Sequence, residues 1–116
     1  MSRFTTERNS SLGPGARPVA IPDDVDAPGV VKAKGLVELP LRVRWSGPPR
    51  RYNMADRNDR ARVYEQVLTE GTDEDVRFYV VVDDLVGLWP DLVLPHHVRL
   101  AWASWLEAQR GVAVVC

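Results

Sequence analysis

The sequence predicts a mainly α-helical fold: a small bundle of about four short helices, preceded by one extended β segment and a disordered N-terminal arm. Three observations predict it. Apolar residues recur at helical spacing in the C-terminal half, capping residues and glycines bracket those runs, and the N-terminal third is rich in Ser, Thr, Pro, Gly and Asp. A chain of 116 residues that is 45% hydrophobic has room for one small core.

Residues 1–35 are predicted to form a disordered or partner-ordered arm. Their composition cannot bury enough apolar surface to offset the entropy lost on ordering. Two short apolar pieces, residues 19–21 and 29–31, are too brief to fold alone, but they suit binding along a partner. The predicted helical domain therefore spans residues 36–111, and residues 112–116 form a tail.

The extended segment comes first in this domain. Its apolar residues alternate with arginines and a proline, which is the period-two pattern of a strand with one buried and one solvated face. The apolar members are Leu39, Leu41, Val43 and Trp45. Pro40 indicates an edge position, because proline cannot donate to a ladder. No second strand of similar quality stands out, so we expect the segment to lie on helices or to pair across a subunit boundary.

A Pro-rich turn at residues 46–49 separates this segment from the first two helices. Asp56 or Asp59 can cap a helix that runs to Glu70, with Gly71 as its C-terminal stop. Its expected buried stripe is Val63, Tyr64, Val67 and Leu68. Thr72 can cap the next helix, of about two turns, in which the acidic first turn complements the helix dipole. Val76, Tyr79 and Val80 share one face of it.

Two further helices complete the predicted bundle. One starts at an Asp83 cap and ends at Trp89, since the residue before Pro90 is pushed out of helical geometry. The last has Pro95 at its first position and Gly111 just past its end. Its apolar stripe is Val98, Ala101, Trp102, Trp105 and Leu106.

Basic and acidic residues are concentrated in different parts of the sequence. Residues 42–62, here called the basic run, carry seven arginines against two acids. The arginines are Arg42, Arg44, Arg50, Arg51, Arg57, Arg60 and Arg62, with Trp45 and Tyr52 between them. Arginine suits bidentate contact with carboxylate or phosphate. Three interpretations remain open: salt bridges within the chain or between subunits, a protein partner, and nucleic acid.

The chain beyond the basic run is acidic. From Val63 onward it holds nine carboxylates against three arginines, a net charge of about −6. Such a surface suits a basic protein, because complementary charge raises the association rate. Two pairs of acidic residues lie at predicted helix starts, namely Asp73 with Glu74 and Asp83 with Asp84. Their position is that of helix-capping residues. A magnesium site is the alternative interpretation.

Composition argues against several classes of protein. A net charge of −1 lacks the global positive field of a general nucleic-acid binder, and charges or prolines interrupt every apolar stretch, so no transmembrane helix is expected. The N-terminus lacks the order of a secretory signal, and the location expected is the cytoplasm. Cys116 is the only cysteine, so no disulfide can form within one chain.

No catalytic signature is present, and the sequence predicts a protein that is not an enzyme and needs no metal or cofactor. Adjacent His96 and His97 point about 100° apart on a helix, which does not suit chelation of one metal. They are expected to be surface residues, with a pH-sensitive contact as the alternative. Ser104 lacks the strand-to-helix elbow that exposes a nucleophile.

Three strings of residues carry a resemblance to a known family. They are WSGPPR at 45–50, RARVYEQVL at 60–68 and LWPDLVLP at 88–95. Residues 39–105 are similar to short actinobacterial-type proteins that are encoded beside nucleotidyltransferase-like toxins and treated as their antitoxins. The resemblance implies a noncatalytic inhibitor that covers a basic cleft of such a partner, and it carries over no active-site residue.

Two functional hypotheses follow. The first is a noncatalytic protein-interaction module, with an antitoxin-type inhibitor as its specific form. The second is a small nucleic-acid-binding regulator, as a monomer or a dimer, whose basic run contacts phosphates. The candidate partner-binding residues are Arg42, Arg44, Arg50, Arg51, Tyr52, Arg57, Asp73, Glu74, Asp83 and Asp84.

Overall fold

The computed structural model describes residues 19–44 and 50–115. Within these residues the mainly α-helical prediction is confirmed, with four α-helices that follow a two-stranded sheet. The elements are β1 (Leu36–Glu38), β2 (Arg51–Asn53), α1 (Arg57–Glu70), α2 (Asp73–Tyr79), α3 (Val82–Leu88), a 3-10 turn (Trp89–Asp91) and α4 (His96–Arg110). The part of the predicted arm at residues 1–18 lies outside the described residues.

The strand prediction was wrong in position. Residues 39–44 do not form a strand, because the Pro40 carbonyl accepts hydrogen bonds from the amides of Val43 and Arg44 and closes a turn. The turn buries Leu39 and Val43, whereas Leu41 is 75% exposed. The alternation of apolar residues in the sequence therefore belongs to a turn and not to a β-strand. Trp45 lies outside the described residues.

A second strand, which the sequence analysis missed, pairs with the first. β1 and β2 are antiparallel, with Val37 opposite Tyr52. The hairpin is joined to α1 because the amide of Asn53 donates to Asp59 Oδ2 at 2.9 Å. Each strand has only three residues, which is too short to leave a recognisable alternation in the sequence.

Helix α1 begins and ends as predicted, and α2 begins at the predicted cap and is seven residues long. The Asp56 side chain caps α1 by accepting from the amide of Asp59, and Gly71 ends the helix. Thr72 and Asp75 form a reciprocal capping box at the start of α2. The predicted core residues of both helices are all buried: Val63, Tyr64, Val67, Leu68, Val76, Tyr79 and Val80.

Helix α3 differs from its prediction at both ends. It starts at Val82, without a side-chain cap, so Asp83 lies inside the first turn rather than at the cap position. The Val81 amide donates instead to the Tyr64 hydroxyl at 2.9 Å. The helix ends at Leu88, and Trp89 opens the 3-10 turn that contains Pro90.

Helix α4 carries Trp102, a fully buried tryptophan. Pro95 occupies the N-cap, so the helix begins at His96, one residue later than predicted, and Gly111 ends the helix in a left-handed conformation at φ 67°. Val98, Trp102 and Leu106 of the predicted stripe are buried, whereas Ala101 and Trp105 are half-buried at its edge. None of the helices within residues 19–44 and 50–115 is long and apolar enough to cross a membrane.

Residues 19–35 pack against the helices, so the predicted arm boundary at residue 35 falls inside the fold. Val25 is fully buried in the core. Asp24 pairs with Arg77 at 2.8 Å, and Asp26 Oδ2 accepts from Arg110 Nε at 3.1 Å. Composition suggested disorder here because these stabilising contacts come from residues more than fifty positions away in the chain.

Candidate functional site

Most of the basic run is paired with carboxylates of the same chain. Five of its seven arginines form ion pairs. The pairs are Arg42–Asp75, Arg50–Asp59, Arg57–Asp91, Arg60–Asp84 and Arg62–Glu65. Of the three interpretations of the run, salt bridging within the chain describes these five arginines.

One pair with a buried carboxylate joins the turn that follows β1 to the start of α2. Arg42 donates from both terminal nitrogens to Asp75, with the Nη2–Oδ1 contact at 2.9 Å. The Asp75 side chain is 8% exposed and also accepts from the Thr72 amide at 2.8 Å. The hydrogen bond from Arg42 holds the pKa of Asp75 below its ordinary value, against the opposing effect of burial.

Glu65 is a second buried acceptor, for which the sequence predicted no partner. It accepts from Arg62 at 2.9 Å and from the amide of Val93 at 2.7 Å, and the latter contact anchors the segment after the 3-10 turn. The i, i+3 spacing of Arg62 and Glu65 on a helix was a signal that could have predicted their pairing. The Val93 contact has no such local signal.

The hairpin holds Arg50 in a defined position. Its Nη2 lies 2.8 Å from Asp59 Oδ1, and its guanidinium lies 4.5 Å from the ring centroid of Tyr52. Tyr52 itself is only 7% exposed, and its hydroxyl accepts from Gln66 at 3.1 Å. The structure therefore places Tyr52 in the core, and Arg50 covers it from the solvent side.

Two arginines at the start of α1 reach towards α3 and the 3-10 turn. Arg57 lies 3.0 Å from Asp91 and donates to the Gly87 carbonyl at 3.1 Å. Arg60 lies 3.8 Å from Asp84 and donates to the Met54 carbonyl at 2.9 Å. Asp84, a candidate contact residue, is thus partly neutralised within the chain.

Some of the candidate partner-binding residues, both acidic and basic, make no ion pair with the described residues. Asp73 and Glu74 in the first turn of α2, and Asp83 in that of α3, are exposed and make no ion pair with the described residues. Arg51 is exposed and Arg44 is half-buried, and neither has a carboxylate partner in residues 19–44 and 50–115. The other five arginines of the basic run pair with carboxylates of the same chain.

The alternative interpretations of the acids and histidines concern metal or proton chemistry. No three His, Cys, Asp or Glu side chains in the described part of the chain are placed to hold a metal ion. His96 is exposed and His97 half-buried at the start of α4, as expected of surface residues. Asp73 and Asp75 complement the N-terminus of α2, and Asp75 completes its capping box.

Comparisons of the chain with protein-family models, with curated proteins and with solved structures found no match.

Proposed function

We propose that this protein is a noncatalytic protein-interaction module that uses its exposed acidic helix starts to bind a basic surface of another protein. The observation that carries the proposal is the internal pairing of the basic run, in which five of seven arginines contact carboxylates of the same chain. Those arginines would have to give up their partners before binding phosphate. The proposal thus favours a protein over nucleic acid as the partner.

The surface that remains after pairing supports a basic partner. Four acids of the C-terminal half are compensated by arginines of the run, namely Glu65, Asp75, Asp84 and Asp91. Asp73, Glu74 and Asp83 stay exposed without an ion pair to the described residues. Exposed carboxylates steer association with a positively charged surface and disfavour a polyanion.

The finer proposal is an antitoxin-type inhibitor in the cytoplasm. It rests on the resemblance of residues 39–105 to antitoxin-like proteins encoded beside nucleotidyltransferase-like toxins. An enzyme that acts on nucleotides or tRNA needs a basic cleft for its substrate. A small domain with exposed acids at two helix starts has the charge to cover such a cleft.

Co-expression with the product of the neighbouring gene tests this function. We expect the two proteins to purify together and the partner's nucleotidyl transfer to be inhibited. The paired substitutions Asp73→Lys and Glu74→Lys should disrupt the complex, since they reverse the charge of the exposed first turn of α2. Glu107→Lys, an exposed acid on α4, serves as the matched control and should leave the complex intact. A chain that purifies alone, or a complex equally affected by both variants, contradicts the proposal.

A nucleic-acid-binding regulator is the second candidate, and the exposure of Arg50 and Arg51 on the hairpin favours it. Arg51 makes no ion pair with the described residues, and the Asp59 partner of Arg50 lies near the surface. Duplex DNA binding that is abolished by Arg50→Ala and Arg51→Ala together, while Lys34→Ala has no effect, would support this function. A chain that binds no duplex would exclude it.

A further inference from the structure

The tail that follows α4 forms one wall of an apolar groove. The groove has a volume of about 640 Å³ and lies between residues 112–115 on one side and Val86, Trp89 and Pro90 on the other. This volume falls within the range of small-molecule binding sites, which are typically about 300–1,000 Å³. The groove contains none of the candidate partner-binding residues.

One charged side chain, Arg99 of α4, lines this apolar surface. Its guanidinium lies 5.0 Å from the ring centroid of Trp89 and donates to the carbonyls of Leu92 and Val115. No carboxylate of residues 19–44 or 50–115 pairs with it. A guanidinium has five N–H donors, and those two hydrogen bonds leave capacity for an anion.

Few hydrogen bonds hold the wall that the tail forms. The Val115 carbonyl accepts from the Trp89 indole at 2.6 Å and from Arg99 at 3.5 Å. At its other end, the Val112 amide donates to the Leu106 carbonyl at 3.3 Å. The segment between them has no regular secondary structure, and Val115 is 81% exposed. An entering molecule therefore needs to displace few hydrogen bonds.

We propose that this groove binds a small hydrophobic molecule that carries a carboxylate, such as a medium-chain fatty acid. The alkyl chain would lie against Val86, Pro90 and the valines of the tail, where burial of apolar surface drives binding. The carboxylate would accept from Arg99, because a guanidinium matches carboxylate geometry and this one has no carboxylate partner within residues 19–44 and 50–115. Charge complementarity thus selects an anionic ligand over a neutral one of the same length.

Calorimetric titration with decanoate and with decanol, both below their aggregation limits, tests the proposal without any substitution. The two ligands share an alkyl chain and differ in the anionic group. We expect decanoate to bind at one site per chain, and decanol to bind about tenfold more weakly because it lacks the charge-assisted hydrogen bond. Equal affinities for the two ligands, or no decanoate binding, would overturn the proposal.

Substitutions locate the site. Arg99→Gln should abolish the preference for decanoate over decanol, whereas Lys34→Gln, which removes one exposed positive charge elsewhere, should retain it. Far-ultraviolet circular dichroism confirms that both variants are folded. In methyl NMR spectra, decanoate should shift the resonances of Val86, Val112 and Val114. Shifts confined to other methyl groups, or equal loss of preference in both variants, would count against this site.

Two further experiments test whether a polypeptide or a second copy of the chain occupies the groove instead. An acetylated and amidated VAVV peptide that binds as tightly as decanoate would assign the groove to a polypeptide partner instead. A dimer in sedimentation experiments that Val86→Arg converts to a monomer would assign it to a second copy of the chain. Either result would overturn the fatty-acid proposal, and neither bears on the exposed acids of α2 and α3.

Discussion

Arg42 and Asp75 form a bidentate ion pair that joins the basic run to the capping box of α2. The two residues lie 33 positions apart in the chain. Asp75 also accepts from the amide and the hydroxyl of Thr72, so one carboxylate caps the helix and anchors the preceding turn. Arg42, which the sequence predicts as a partner-binding residue, therefore stabilises the fold.

Substitution of Asp75 should be costly. Asp75→Ala removes the capping-box acceptor and leaves the Thr72 amide and Arg42 without their partner, so we expect the free energy of unfolding to fall by about 1–3 kcal/mol. Asp73→Ala is the matched control, because Asp73 is exposed in the same turn, and its effect should stay within about 0.5 kcal/mol. Urea denaturation measures both. Similar losses in the two variants would refute a special role for Asp75.

The same carboxylate makes stability depend on pH. The pKa of Asp75 is lowered in the folded state, so its contribution is present above the pKa of the unfolded chain, about 4, and is lost as the pH falls through the folded pKa. Wild-type protein should therefore lose more stability than Asp75→Asn on acidification from about pH 6 to about pH 3. Denaturant titrations at both pH values measure the difference. An identical loss in both proteins would contradict the assignment, and Asp73→Asn should behave as wild type.

The Tyr64 hydroxyl links α1 to the start of α3. It accepts from the Val81 amide at 2.9 Å, and burial raises the pKa of Tyr64 to about 12. Tyr64→Phe leaves that amide without its acceptor and should cost about 1–2 kcal/mol of unfolding free energy. Tyr79→Phe is the control, since the Tyr79 hydroxyl caps no amide in the described chain. Thermal and urea denaturation of the two variants should differ, and equal stability would disprove the link.

Lys32 fastens residues 19–35 to the end of α2. Its ammonium donates to the carbonyls of Arg77 and Val80, each at 2.6 Å, and to that of Val25. Lys32→Met keeps the apolar stem but removes the donors, and it should cost about 1–2 kcal/mol of unfolding free energy. Hydrogen exchange at the Ala33 amide, which donates to the Phe78 carbonyl, should accelerate. The control Lys34→Met changes an exposed residue, and slow Ala33 exchange in both variants would contradict the role of Lys32.

The helices were predictable because their signals are local. Asp56 and Thr72 cap the helices that follow them, and Gly111 ends α4 in the left-handed conformation that glycine permits. Each signal lies within a few residues of the boundary that it sets. The misplaced start of α3 shows the limit of such reasoning, because Val81 satisfies its amide through the distant Tyr64 hydroxyl.

The sheet, the packing of residues 19–35 and most ion pairs depend on contacts that a single sequence does not encode locally. Three-residue strands carry no usable periodicity, and the partners of Arg42 and Asp26 lie far along the chain. Internal pairing of the basic run was one of the three interpretations that the sequence left open. The sequence does not identify the partners, since sixteen acidic side chains compete for the arginines.

The affinity for a labelled DNA duplex, measured by fluorescence anisotropy across about 50–200 mM salt, tests the internal pairing of the basic run most directly. If only Arg44 and Arg51 are free to contact phosphates, the slope of log affinity against log salt should be no steeper than about −2. Engagement of all seven arginines would give a slope of about −6. A slope near the first value supports a protein-interaction module, and a slope near the second contradicts it.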